Sequence, residues 1–210
     1  MKHEWRKAEK EIYLPKKTPI IIEMPRLKYF TIKGAGNPNS EEFKDAVGAL
    51  FAMAYGVKMS PKKGIELAGY FDYTVYPLEG FWSLNREGIK QYQENQQFDK
   101  NDLVFKLMIR QPDFVTEEVA AATIERVSKN KPNSYNAKIR FEEIEEGLCL
   151  QVLHVGSYDS EPESFQLMSD YCLEHHLERL TPDHKEIYLS DPRKSVPEKN
   201  KTVLRYGIKK

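Results

Sequence analysis

The chain has 210 residues, with 32 Lys+Arg against 32 Asp+Glu and a formal net charge of zero. That length fits one large domain or two small ones with a good core, and the neutral balance lacks the basic footprint of a general nucleic-acid binder. No stretch approaches the roughly 20 apolar residues of a membrane span, and the opening MKHEWRKAEKEIYLP holds no signal-peptide run, so a cytoplasmic location is expected. Cys149 and Cys172 have no CxxC spacing and sit in apolar patterns, which predicts buried free thiols.

Residues 1–26 are charged, contain Pro15, Pro19 and Pro25, and read as an N-terminal arm ending in an extended piece, Thr18 to Met24. Leu27 to Lys33 alternates and predicts a strand, and GAGNPN is a turn-rich break. A helix follows with Asn39 as N-cap and Glu42 three residues on. Its stripe is Phe43, Val47, Leu50, Phe51 and Ala54, and Gly56 is expected to end it. Ile65 to Tyr76 predicts a strand ended by Pro77. The loop LEGFWSLNREG carries Glu79, Phe81 and Trp82, and Leu103 to Arg110 predicts another strand.

Residues 111–140 read as a connector with a helix over Thr116 to Lys129. Leu148 to Val155 predicts a strand, and Gly156 opens the break GSYDSEPE. Ser160 with Glu163 predicts a capping box on a helix carrying Phe165, Met168 and Cys172. Lys185 to Ser190 predicts a strand ended by Asp191-Pro192, and Thr202 to Ile208 the last strand.

One arrangement thus occurs twice: strand, Gly-containing turn, helix, strand ended by Pro, loop, strand. The expected fold is α+β, a pseudo-twofold tandem of βαββ modules over 27–110 and 141–210. Each antiparallel sheet would be backed by one helix and leave one face open, with a ligand cleft between the modules. Ile187 and Leu189 share one face of their strand, and Glu186, Tyr188 and Ser190 the other. A cleft would give that carboxylate a pocket instead of solvent. For the strand ended by Pro77 two registers stay open. Either Phe71, Tyr73 and Val75 face the cleft, or Tyr70, Asp72, Thr74 and Tyr76 do.

LHVGSYDSEPESFQLMSDYCLEHHL followed by EIYLSDP resembles the GyrI-like small-molecule-binding family, whose second half carries a G-x-Y turn, a helix, and an E-x-Y-L strand ending in D-P. IKGAGNPNSEEFKDAVGALFAMAYGVK and FDYTVYPLEGFW fit its longer stand-alone members, so the resemblance covers about residues 20–210. Tyr206-Gly207-Ile208 departs from it, standing where the family often has a Pro. The resemblance implies a tandem SHS2-type fold. Some members are effector domains of multidrug-responsive regulators, some inhibit gyrase, and others resembling this chain hydrolyse cyclopropanoid DNA-alkylating compounds. A regulator needs a DNA-binding module of about 50 residues, which 1–26 cannot hold, so no direct nucleic-acid partner is expected.

The implied activity is a hydrolase that opens the cyclopropane of a flat aromatic substrate. Glu186, matching the family's pocket glutamate, would be the general base on water. Tyr188 and Tyr76 are candidate donors to the developing oxyanion. Trp82, Phe81 and Tyr55 would stack on the substrate, with Phe51, Tyr73, Ser190 and Tyr158 also lining the site. The alternative is a non-catalytic binder in which Glu186 is the counter-charge to a cationic aromatic ligand. No metal or other cofactor is expected. His154, His175 and His176 lack a second ligand pair, and no Gly-rich phosphate loop, G-x-S-x-G or HExxH is present. Arg193, Lys194, Lys199 and Lys201 predict a solvated loop.

Overall fold

The computed structural model describes residues 2–95, 97–191 and 195–210, so the readings of Pro192 as a strand terminator and of Arg193 and Lys194 as solvated loop lie outside the described residues. In chain order the elements are α1 (Trp5–Ala8), α2 (Lys10–Tyr13), β1 (Ile20–Met24), β2 (Leu27–Ala35), α3 (Glu41–Lys58), β3 (Leu78–Leu84), α4 (Arg86–Asn95) and β4 (Leu103–Gln111). They continue with α5 (Glu117–Asn130), β5 (Arg140–Ile144), β6 (Gly147–Val155), α6 (Glu161–Glu174), β7 (Glu178–Arg179), β8 (His184–Tyr188) and β9 (Lys201–Lys209). The chain divides into two compact units. Unit 1 comprises Leu27–Tyr76 and Trp82–Ile144 with the chain start up to His3; unit 2 comprises Glu4–Arg26, Pro77–Phe81 and Glu145–Lys210.

In unit 1, β2 lies between β4 and β5 and is antiparallel to both, with Phe30 opposite Ile109 on one side and Phe141 on the other. The N-cap of α3 is Ser40, one residue beyond the expected Asn39; its Oγ accepts from the Phe43 N–H at 3.2 Å. Gly56 does not end this helix, which runs on to Lys58. Its value is close approach: a Cβ on Gly56 would lie 2.6 Å from Val127 Cγ2 of α5. The helix of the expected connector therefore packs on α3 and belongs to unit 1.

Ile65 to Tyr76 is not a strand. Among the described residues its β-type contact is one isolated bridge, Tyr73 with His3, and Gly69 at φ +73° breaks the extended run. Tyr70, Phe71 and Tyr73 instead pack around Phe114, so their strong β propensity reflects aromatic packing and not ladder pairing. The strand lies after Pro77, in the segment expected to be a loop, because a residue without an N–H fits ahead of a strand as well as behind one. NREG then opens α4.

In unit 2 the sheet order is β1-β6-β9-β8, antiparallel throughout, with β7 on the far end of β9. Leu150, Val152, Leu204, Tyr206 and Ile208 pack against Met168 and Cys172 of α6. The opposite face carries Gln151, Lys185 and Arg205, and the expected arm covers it. Arg205 Nη2 donates to the Ile12 carbonyl at 2.9 Å, Gln151 Nε2 to the Glu11 carbonyl at 2.7 Å, and the Leu153 N–H to the Lys16 carbonyl at 2.9 Å. Trp5 and Tyr13, at the ends of the two short helices, are buried there.

Lys185 is wholly buried between Glu79 at 2.6 Å and Glu146 at 2.7 Å. Burial alone would lower its pKa, but the two carboxylates outweigh that and hold it above the usual lysine value. Burial would likewise raise Glu146, yet Lys185 and Arg205 hold its carboxyl below the usual range.

Candidate functional site in unit 2

The period-2 reading of β8 holds: Lys185 and Ile187 are buried on one face, and His184, Glu186 and Tyr188 lie on the other. The side on which α6 sits is the reverse of the expectation. Glu186 pairs across the ladder with Leu204 and Tyr188 with Thr202, whereas Lys185 pairs with Arg205 and Ile187 with Val203. Cross-strand partners share a face, and Leu204 packs on α6. Glu186 therefore lies on the helix-bearing face. Both faces of this sheet are covered, so the apolar parity of β8 could not say which cover lay where.

The turn into α6 forms the next wall. His154 Nε2 donates to the Ser157 carbonyl at 3.0 Å, which leaves Nδ1 to accept from the Ser164 hydroxyl at 2.9 Å in the neutral ring. Ser160 Oγ also donates to the Ser157 carbonyl, at 2.8 Å. It makes no side-chain cap to α6, so the expected Ser160–Glu163 capping box does not form. A Cβ on Gly156 would lie 2.6 Å from Ser160 Oγ and 3.2 Å from His154 Nε2, which explains glycine there. The turn sets Tyr158 edge-on to Tyr188, with ring centroids 6.1 Å apart.

Two carboxyl groups meet this turn. Glu186 Oε1 accepts from His184 Nε2 at 3.0 Å, and its side chain is 12% exposed. The His184 ring meets Phe165 of α6 edge-on at 4.8 Å. Glu161, the first residue of α6, is 7% exposed, and its Oε1 has no hydrogen-bond partner among the described residues. Burial first, then the charge of Glu186, then that of Asp159, push its carboxyl up to about 9. Burial, Glu186 and Glu161 push the Tyr158 hydroxyl up to about 12, so it remains a donor at neutral pH. Sequence reasoning missed Glu161. An acidic residue at a helix start ordinarily signals a solvated charge favoured by the helix dipole, and nothing in SEPE marks one of them as buried.

Of the residues expected at the site, the structure brings together Glu186, Tyr188 and Tyr158. Ser190 Oγ accepts from the Lys201 N–H at 3.0 Å and so ties the ends of β8 and β9. Phe81 lies under the Lys185 ammonium, 5.0 Å from ring centroid to Nζ, on the opposite face from Glu186. The others belong to unit 1. Tyr76 is buried, its hydroxyl 3.4 Å from His3 Nε2 and the Arg110 guanidinium 4.6 Å over its ring. Tyr73 is a buried member of the Phe114 cluster, with Lys58 Nζ 5.3 Å over its ring and its hydroxyl pushed up by burial. Trp82 is a core residue, stacked on Phe43 at 5.9 Å and tilted on Phe105 at 5.5 Å. Phe51 and Tyr55 line a surface hollow on α3 beside Lys131 and Pro132.

Among the described residues no group of three or more His, Cys, Asp or Glu is arranged to hold a metal ion, and no helix is long and apolar enough to cross a membrane.

Comparison with curated proteins gave no match. Solved structures did. A protein described as a hydrolase from Listeria innocua is 36% identical, with a TM-score of 0.88 over 99% of this chain and 100% of its own. Another structure described as a hydrolase from the same organism is 37% identical, with a TM-score of 0.89 over all of both chains. An uncharacterized conserved protein, also from Listeria innocua, is 38% identical, with a TM-score of 0.89 over 99% of this chain and 100% of its own. The family model for the GyrI-like small molecule binding domain matches residues 17–208. The chain, with its two units and the carboxyl-lined aromatic site of unit 2, belongs to the GyrI-like small-molecule-binding family.

Proposed function

We propose that the protein binds a flat hydrophobic molecule beside Tyr158 and Tyr188 and hydrolyses a strained cyclopropane ring in it. The observation that carries this reading is Glu186, a half-hidden carboxylate held by His184 at 3.0 Å and flanked by two tyrosines. Such a group, shielded from bulk water and held in place by His184, is suited to take a proton from one bound water. Attack on the cyclopropane carbon pushes the ring electrons into the conjugated carbonyl. Tyr158, whose hydroxyl keeps its proton, is the donor suited to the developing oxyanion. Tyr76, in unit 1, is not needed for this role. The hydrolases from Listeria innocua agree in reaction class and say nothing of the substrate.

The test is incubation with a cyclopropanoid alkylator and mass spectrometry of the small molecule. Gain of one water by wild type, abolished in Glu186→Gln with binding retained, supports the reading; full turnover by Glu186→Gln refutes the base assignment. A second reading, sequestration of a cationic aromatic compound, is favoured by the presence of two carboxyl groups at one site. It requires the compound to co-elute unchanged with the protein.

A further inference from the structure

We propose that Glu161 and Glu186 form one carboxyl pair sharing a single proton, with Glu161 as the holder. The placement follows from the fold. Glu161 and Phe165 stand four residues apart on one face of α6, and Phe165 meets the ring of His184. His184 and Glu186 are two apart on one face of β8 and hydrogen-bonded to each other. The start of α6 and the middle of β8 thus present their carboxyls to the same small space.

Their surroundings are unequal. Glu186 has a hydrogen-bond partner in His184. Glu161 is more than nine-tenths buried, and one of its oxygens lacks any partner among the described residues. Two carboxyls presented to one shielded space repel each other as anions, and the proton stays on Glu161, whose charge is disfavoured by burial and by Glu186. A merely structural Glu at a helix start would spend its charge on the first-turn N–H groups; an orphaned, buried oxygen is the opposite arrangement. The titratable groups facing Glu161 are Tyr158 and Asp159 from the turn and Glu186 from β8, with His184 bonded to Glu186 and His154 of β6 behind Ser164.

This pair deepens the hydrolase reading and rests on it for the reaction. Water adds to the cyclopropane carbon as the ring C–C bond breaks, and that electron pair moves to the carbonyl oxygen. The proton lost by water goes to Glu186, and the proton of Glu161 goes to the oxygen. After the product leaves, the proton passes from Glu186 back to Glu161. The net change is addition of one water.

The experiment uses the full chain labelled with ¹³C at glutamate carboxyls, followed by NMR from acid to alkaline pH in wild type, Glu161→Gln and Glu186→Gln. One carboxyl is expected to titrate near 9, to vanish in Glu161→Gln and to move down in Glu186→Gln. Persistence of that titration in Glu161→Gln, or its indifference to Glu186→Gln, overturns the pair. In parallel, kcat for the cyclopropanoid probe should fall about 10²- to 10³-fold in Glu161→Gln with KM little changed and the alkaline limb of the pH profile removed. Unchanged kcat there overturns the proton-donor role. If the titrations behave as stated while wild type adds no water to the probe, the shared proton is supported and the hydrolase reading fails.

Discussion

Replacing Glu161 by Gln should make the protein more stable while weakening its chemistry. The folded state keeps a proton on Glu161 up to about 9, whereas the unfolded chain releases it near 4.5. Between those values the folded state binds the extra proton, so stability is greatest below 4.5 and falls as pH rises through the window. At about pH 7.5 the cost is on the order of 4 kcal/mol. Gln keeps the shape and needs no proton, so Glu161→Gln should gain about 2–4 kcal/mol at pH 7.5 and nothing at about pH 4. Urea unfolding of both proteins across this range measures the difference. A variant no more stable than wild type at pH 7.5, or one whose gain persists at pH 4, refutes the buried, protonated Glu161.

Lys185→Met removes the cation between Glu79 and Glu146 and should cost about 3–5 kcal/mol by urea unfolding; a loss below about 1 kcal/mol would show that Arg205 alone suffices. Glu146, held low by Lys185 and Arg205, contributes stability that is present above 4.5 and lost as pH falls through its folded value, so Lys185→Met should also flatten the acid limb of the stability curve. Gly56→Ala forces a methyl onto Val127 and should destabilise unit 1 by about 1–3 kcal/mol without changing ligand binding in unit 2. Trp82→Ala should cost about 3–5 kcal/mol of stability through loss of the Phe43 and Phe105 contacts.

Local chemistry in the chain was enough for several elements. The alternation of Leu27 to Lys33 and the apolar runs of Leu148 to Val155 and Thr202 to Ile208 gave their strands, because short β-rich runs bounded by turn residues are a local signal. Thr116 to Lys129 likewise announced α5. Glu186 and Tyr188 were legible as one face of one strand, and the GyrI-like resemblance was legible in GSY and EIYLSDP. Other features depended on partners distant in sequence. Tyr70 to Tyr73 has strand-like residues but packs as a cluster on Phe114, since propensity records side-chain packing without naming the ladder. Residues 4–26 gave no sign of covering the Lys185 face, because that contact needs the carbonyls of Glu11 and Ile12 opposite Gln151 and Arg205. The side of β8 that receives α6 was set by its pairing with β9, and only that register carries Glu186 to Glu161. Parity along a strand is a local property of the backbone, whereas the identity of what covers each face is decided when distant segments compete to bury it.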